Sequence, residues 1–233
     1  MAHTVGAVHA LERDLRGVFG PRLQSLVQYG LRAGEATPTR TMAIVDTLGE
    51  QDLRACAGRV KAWHDAGLAT PLLFPANEFE RSLDVFPLEF GAILDDHVVV
   101  SGKSPFHGLR VEVSDLRRAC EMQARSHLLH LREAYLEGRG NSQALAVLIV
   151  QSAAPLASLV SSLARLEDRT DHEPAAAARH AERVLGITGG TIGGIVKLAA
   201  VHEITAAEAE RLFPGYLDAL VRLVNYIDTW GTA

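Results

Sequence analysis

The sequence predicts a sheet-bearing α/β or α+β layer first and an all-helical part after it, and three observations carry that reading. Short apolar runs alternate with helical patterns as far as Ser114. Beyond it the apolar residues recur at helical spacing to the C-terminus. Val98-Val99-Val100 is β-branched at three consecutive positions, which suits a strand.

Residues 8–18 read as a helix with Leu11, Leu15 and Val18 on one face, stopped by Gly20-Pro21. Residues 23–29 and 40–48 read as strands, 51–66 as a helix ending at Gly67, and 70–74 as a short strand. Residues 77–83 are expected to be helical and 97–101 to form a strand. A long amphipathic helix is expected over 115–137, followed by a turn at Gly138-Arg139-Gly140-Asn141 and a polar connector over 168–174. Thr205-Ala206-Ala207-Glu208 has the form of a capping box, in which the Thr hydroxyl and the Glu carboxylate each satisfy an orphan backbone N–H. It opens a helix with Leu212, Tyr216, Leu217, Leu220, Val224 and Ile227 at three- and four-residue spacing. A boundary near Val113 gives two expected domains, 1–113 and 114–233.

Composition narrows the function classes. With 233 residues, 48% of them apolar, the chain can bury a proper core. A net charge of -5 provides no basic field, which argues against a nucleic-acid partner and template-bound synthesis. Cys56 and Cys120 form no disulfide framework or zinc motif, so a reduced cytoplasmic setting is expected. The N-terminus lacks the basic and apolar regions of a signal peptide. Residues 141–164 carry no charge, and a membrane span needs roughly 20 mostly apolar residues. Gln143, Gln151, Ser152, Ser158, Ser161, Ser162 and Pro155 interrupt that stretch, so a buried bundle helix is expected and no membrane partner.

The most informative stretch is Leu26-Val27-Gln28-Tyr29-Gly30-Leu31-Arg32-Ala33-Gly34, followed by Met42-Ala43-Ile44-Val45. It resembles the opening of a nucleotidyltransferase of the DNA-polymerase-β-like superfamily. There a strand ends in Tyr-Gly-Ser-x-Ala, and a second strand carries Asp-x-Asp to hold magnesium. The segment from Ser82 to Phe90 and the pattern Leu116-Arg117…Glu121…Arg125…Leu128-Leu129…Leu131-Arg132…Tyr135-Leu136 are similar to the bacterial minimal and kanamycin-type branch. So is Glu208…Leu212-Phe213…Tyr216-Leu217…Leu220. The resemblance implies an α+β fold: a small mixed β-sheet core of nucleotidyltransferase type followed by a C-terminal helical bundle.

The backbone frame of that motif is retained while its chemistry is not. Leu31 stands at the Ser position, and Thr39 and Thr41 fall at the Asp positions. Alternate strand positions point the same way, so the two threonines keep the spacing but present neutral hydroxyls. Magnesium takes hard oxygen ligands, and carboxylates best offset its charge. Asp46, at the end of the second strand, and Glu89, in the segment where some family members place a third carboxylate, are the acids that could stand in. Gly30 would let a phosphate approach the backbone, and Arg32 could supply charge. Arg118, Arg125 and Arg132 recur every seventh residue with Arg139 beyond, a row that could meet an anion or form a solvated face with Glu121, Glu133 and Glu137.

Other constellations read as structural. His127 and His130 lie at i, i+3 without a carboxylate or Cys at ligand spacing. Asp95-Asp96-His97 reads as a loop into the Val98 strand. The glycines from Gly186 to Gly194 lack the Gly-Lys-Ser/Thr ending of a phosphate loop, and no Gly-x-Ser-x-Gly elbow occurs.

The expectation is therefore a non-catalytic nucleotidyltransferase-fold protein that binds a nucleotide, a related anion or a protein partner, with no cofactor. An active enzyme moving a nucleoside monophosphate to a small acceptor or a protein is the alternative. It would need magnesium on Asp46, Glu89 or another acid. A third reading is an oligomerisation or scaffold module acting through the C-terminal helices.

Overall fold

In the computed structural model the chain divides into two compact units, Met1–Glu112 and Val113–Ala233. The described residues are 2–31, 38–169, 171 and 173–231. The first unit opens with α1 (Ala2–Phe19), whose Val8, Leu11, Leu15 and Phe19 form one buried stripe. Four strands follow: β1 (Leu23–Tyr29), β2 (Arg40–Val45), β3 (Leu72–Pro75) and β4 (His97–Gly102). They lie in the order β3-β2-β1-β4, with β1 antiparallel to β2 and β4, and β2 parallel to β3. The sheet is thus mixed.

Both faces of this sheet are covered, and that decides the character of β2. On one face Leu23, Leu26, Ala43 and Val45 pack with the α1 stripe and with Cys56, Trp63 and Leu68. Cys56 belongs to α2 (Glu50–Ala57) and Trp63 to α3 (Val60–Asp65). On the other face Val27, Met42 and Ile44 meet Phe79, Leu83, Phe90, Ile93 and Phe106. Phe79 comes from α4 (Ala76–Phe79), and Phe90 and Ile93 from α5 (Pro87–Asp95). The rings of Phe79 and Phe90 meet edge to face at 5.5 Å, and those of Phe79 and Phe106 at 5.7 Å. A strand buried on both faces reads as a continuous apolar run, as 42–45 does. A register shift between Leu23 and Ser25 lets Leu23 and Leu26 serve the same core. Gly102 has φ +81, and a Cβ there would sit 1.9 Å from the Gln24 carbonyl oxygen, so only glycine closes this edge.

The elements follow the sequence with a few shifts. β2 ends at Val45 rather than 48, where the Asp46 N–H donates to the Arg22 carbonyl at 2.9 Å. The expected helix over 51–66 is two helices. Gly58, with the lowest propensity after proline, loosens the chain, and the Arg59 N–H turns back to the Cys56 carbonyl. Trp63 Nε1 then donates to Asp14 at 2.9 Å, fixing α3 against α1. The α2 N-terminus is capped at Gly49, whose N–H donates to Asp52 at 3.0 Å. Asp52 also takes both guanidinium nitrogens of Arg22, at 2.7 and 2.9 Å. That fork holds the Asp52 carboxyl down at about 2.

The second unit is helical: α6 (Val113–Glu137), α7 (Ser142–Leu166), α8 (Pro174–Val184), α9 (Thr191–Lys197) and α10 (Ala206–Thr229). Helix α7 is its axis, packed by each of the other four. It is also the one described helix long and apolar enough to cross a membrane, with mean hydropathy 1.9 over a window that is 56% buried. Its lack of charge has a packing reason, because Leu159–Ala164 is buried around the whole girth. Asn141 caps its start, accepting from the Gln143 and Ala144 N–H groups at 2.9 Å. Thr205 Oγ1 accepts from the Glu208 N–H at 3.2 Å and opens α10. The buried face of α10 is Ala209, Phe213, Tyr216, Leu220, Leu223, Val224 and Ile227, with Leu212 and Leu217 on its margin.

Candidate functional site

Strands β1 and β2 carry the Tyr29-Gly30 and Met42–Val45 stretches singled out in the sequence. Gly30 ends β1 with φ +67, a left-handed conformation suited to glycine, and its N–H donates to the Asp96 carbonyl at 2.9 Å. Leu31 is 45% exposed. Arg32 lies outside the described residues. Thr39 is half-buried and tied on both sides of its backbone: its N–H donates to the Gly67 carbonyl and its carbonyl accepts from Ala69.

Thr41 is wholly buried, and its hydroxyl has no partner. It shares strand parity with Ala43 and Val45, which face the α1 core. Glu89 lies on α5, the helix that covers the opposite face, and its side chain is exposed. The structure therefore does not bring Thr41 and Glu89 into one cleft. Asp46 is exposed beyond β2 and accepts from the Gln24 side-chain amide.

Among the described residues, β2 does not fit a magnesium pair. No carboxylate stands anywhere in Arg40–Val45, so neither alternate set of β2 positions offers one. Thr41 offers a sealed neutral hydroxyl. Among the described residues no group of three or more His, Cys, Asp or Glu side chains could hold a metal ion.

The arginine row in the second unit is partly occupied. Arg118 pairs with Asp115 at 3.3 Å. Arg125 is held by Glu121 at 3.1 Å and Asp228 at 2.6 Å, which leaves it little freedom to meet an anion. The glycine segment after α8 is also engaged, since Glu182 accepts from the Gly193 N–H at 2.9 Å where a phosphate would have to bind. His97 turns its Nδ1 to the Ile93 and Leu94 carbonyls and its ring to Phe106, closing α5 rather than ligating. Both cysteines are buried and free, and burial pushes the Cys120 thiol up to about 12.

Two polar clusters escape sequence reasoning because they join distant helices. Glu167, after α7, accepts from His180 Nε2 of α8 and from the Tyr226 hydroxyl of α10. Burial first, then Glu167, push the Tyr226 phenol up to about 12. In the other cluster His127 Nε2 lies 2.6 Å from the Tyr216 hydroxyl, which donates to Ser152 Oγ at 3.0 Å. The sequence reads His127 only as structural; its link to Tyr216 spans 89 residues, and the link from Tyr216 to Ser152 spans 64.

The fold these elements build is of the α+β nucleotidyltransferase type, with a mixed four-stranded sheet and a helical C-terminal region. A similar solved structure is a spectinomycin adenyltransferase, AAD(9), from Enterococcus faecialis with ATP and spectinomycin. It shares 11% identity with a TM-score of 0.60, covering 96% of this chain and 98% of that one. No family model matches the chain, and neither does any curated protein.

Proposed function

We propose that the chain is a non-catalytic protein on the nucleotidyltransferase scaffold that binds a nucleotide or related anion without transferring it. The observation that carries this reading is β2: the strand that resembles the metal-binding strand has no acid and is buried on both faces. Nucleotidyl transfer relies on cations that neutralise charge developing on the triphosphate. Neutral hydroxyls and apolar side chains do not anchor such cations. The similar solved structure contains ATP, which supports a nucleotide as the ligand class to try first. In this reading the anion is met at the turn after β1 by groups other than the Gly30 N–H, which is already donated to the Asp96 carbonyl. The test is calorimetric titration with ATP, GTP, CTP and UTP, with and without magnesium. The expected result is saturable binding of at least one, with an affinity that magnesium leaves within about threefold. Binding that appears only with magnesium overturns it.

A second reading, self-association through the C-terminal helices, rests on a different observation. Met122, Leu129 and Leu136 recur every seventh residue along α6 and are 69%, 61% and 73% exposed. Light scattering is expected to give twice the chain mass, reduced to the monomer by Leu129→Glu. A strict monomer at high concentration removes this reading.

A further inference from the structure

A groove of about 360 Å³ runs between α6 and α7, within the size range of small-molecule sites. Gln123, His127 and Leu131 line one wall, and Leu148, Ser152 and Pro155 the other. Its polar groups have a definite direction, because a carbonyl can only accept. The Ser152 hydroxyl donates to the Ile149 carbonyl at 2.8 Å. The Tyr216 hydroxyl donates to Ser152 Oγ, so its oxygen is left to accept from His127 Nε2. His127 is thereby fixed with hydrogen on Nε2 and a lone pair on Nδ1. Burial, with His130 nearby, pushes this imidazole below its ordinary value and keeps it neutral.

The groove thus holds an imidazole lone pair without a partner among the described residues. It also holds the Gln123 Oε1, buried and without a donor. Buried acceptors are normally paired, and an unpaired one asks for an explanation. We propose that this groove binds a small organic molecule with an apolar body and a head bearing two or more N–H hydrogens, a protonated amine or a primary amide. The head donates to His127 Nδ1 and, with a rotation of the Gln123 side chain that brings its sealed Oε1 into the groove, to Gln123 Oε1, while the body lies on Leu131, Leu148 and Pro155. This site is independent of any nucleotide at the β1–β2 hairpin.

The test uses three probes of one ring size in solution NMR of the full chain: benzylamine, benzamide and benzoate. Benzylamine or benzamide is expected to shift the His127 ring and Gln123 side-chain signals saturably, and whichever binds more tightly identifies the head. Benzoate, which has no N–H, leaves them unmoved. Gln123→Leu is expected to weaken the bound probe about tenfold. Its melting temperature should stay equal or rise, because an unpaired buried carbonyl has been removed. Benzoate binding as well as the other two, no probe moving His127, or Gln123→Leu leaving affinity unchanged overturns the proposal.

Discussion

Thr41→Asp is expected to destabilise the sheet-bearing unit by about 3–5 kcal/mol, with no recovery on adding magnesium or manganese. Thr41 is fully buried on the face that packs against α1, where its neighbours in strand parity are Ala43 and Val45. A carboxylate placed there has no water and no cation. Its pKa therefore rises above the unfolded value of about 3.9. The sign follows from linkage: above that value the folded state binds more protons than the unfolded one, so the loss deepens as pH rises from 4 to 7. Thr41→Val should do the reverse and stabilise by about 0.5–1 kcal/mol, since it removes a hydroxyl that is buried without a partner. Chemical denaturation followed by circular dichroism measures both. An aspartate tolerated at this position, with stability that climbs when a divalent ion is added, would mean that β2 still faces a metal cleft.

Glu167→Ala is expected to cost about 3 kcal/mol in the helical unit. It leaves the Tyr226 hydroxyl and the His180 Nε2–H without their acceptor, at about 1–3 kcal/mol for a buried donor such as that of His180 and less for the half-buried Tyr226. The Glu167 side chain is only 12% exposed and that of His180 10%, so water cannot readily replace the lost partner. Glu167→Gln keeps one acceptor oxygen but turns an amide N–H₂ toward one of the donors, so an intermediate loss is expected. Ultraviolet titration gives an independent readout. The Tyr226 phenol, pushed up to about 12, should fall in Glu167→Gln yet stay above the ordinary value, because burial, the largest single cause, remains. An unchanged melting temperature in Glu167→Ala would show that the cluster contributes nothing to stability.

Much of the scaffold is legible in the chain because its signals are local. The strand over 23–29, the β-branched run that becomes β4, the amphipathic α6 and the Thr205 cap each depend on neighbours a few residues away. The division of 51–66 into α2 and α3 is less visible: a single Gly58 is compatible with an unbroken helix until Trp63 finds Asp14 on α1. The candidate site is the least legible part. Thr39 and Thr41 have the spacing of a functional pair, and spacing alone cannot say which face of a strand is covered. The continuous run from Met42 to Val45 did contain that information, since a strand apolar on both parities is buried on both faces. The His127–Tyr216–Ser152 chain could not have been read at all, because it joins three helices through side chains far apart in sequence.

The functional account depends on the scaffold having no anchor for a divalent cation. The most direct measurement is pyrophosphate release from each of the four nucleoside triphosphates, in magnesium and in manganese, with small amine and hydroxyl acceptors present. The account predicts no release above the rate without protein. Release that disappears in Asp46→Asn or Glu89→Gln would contradict it, and would show that one of these exposed acids holds the metal after all.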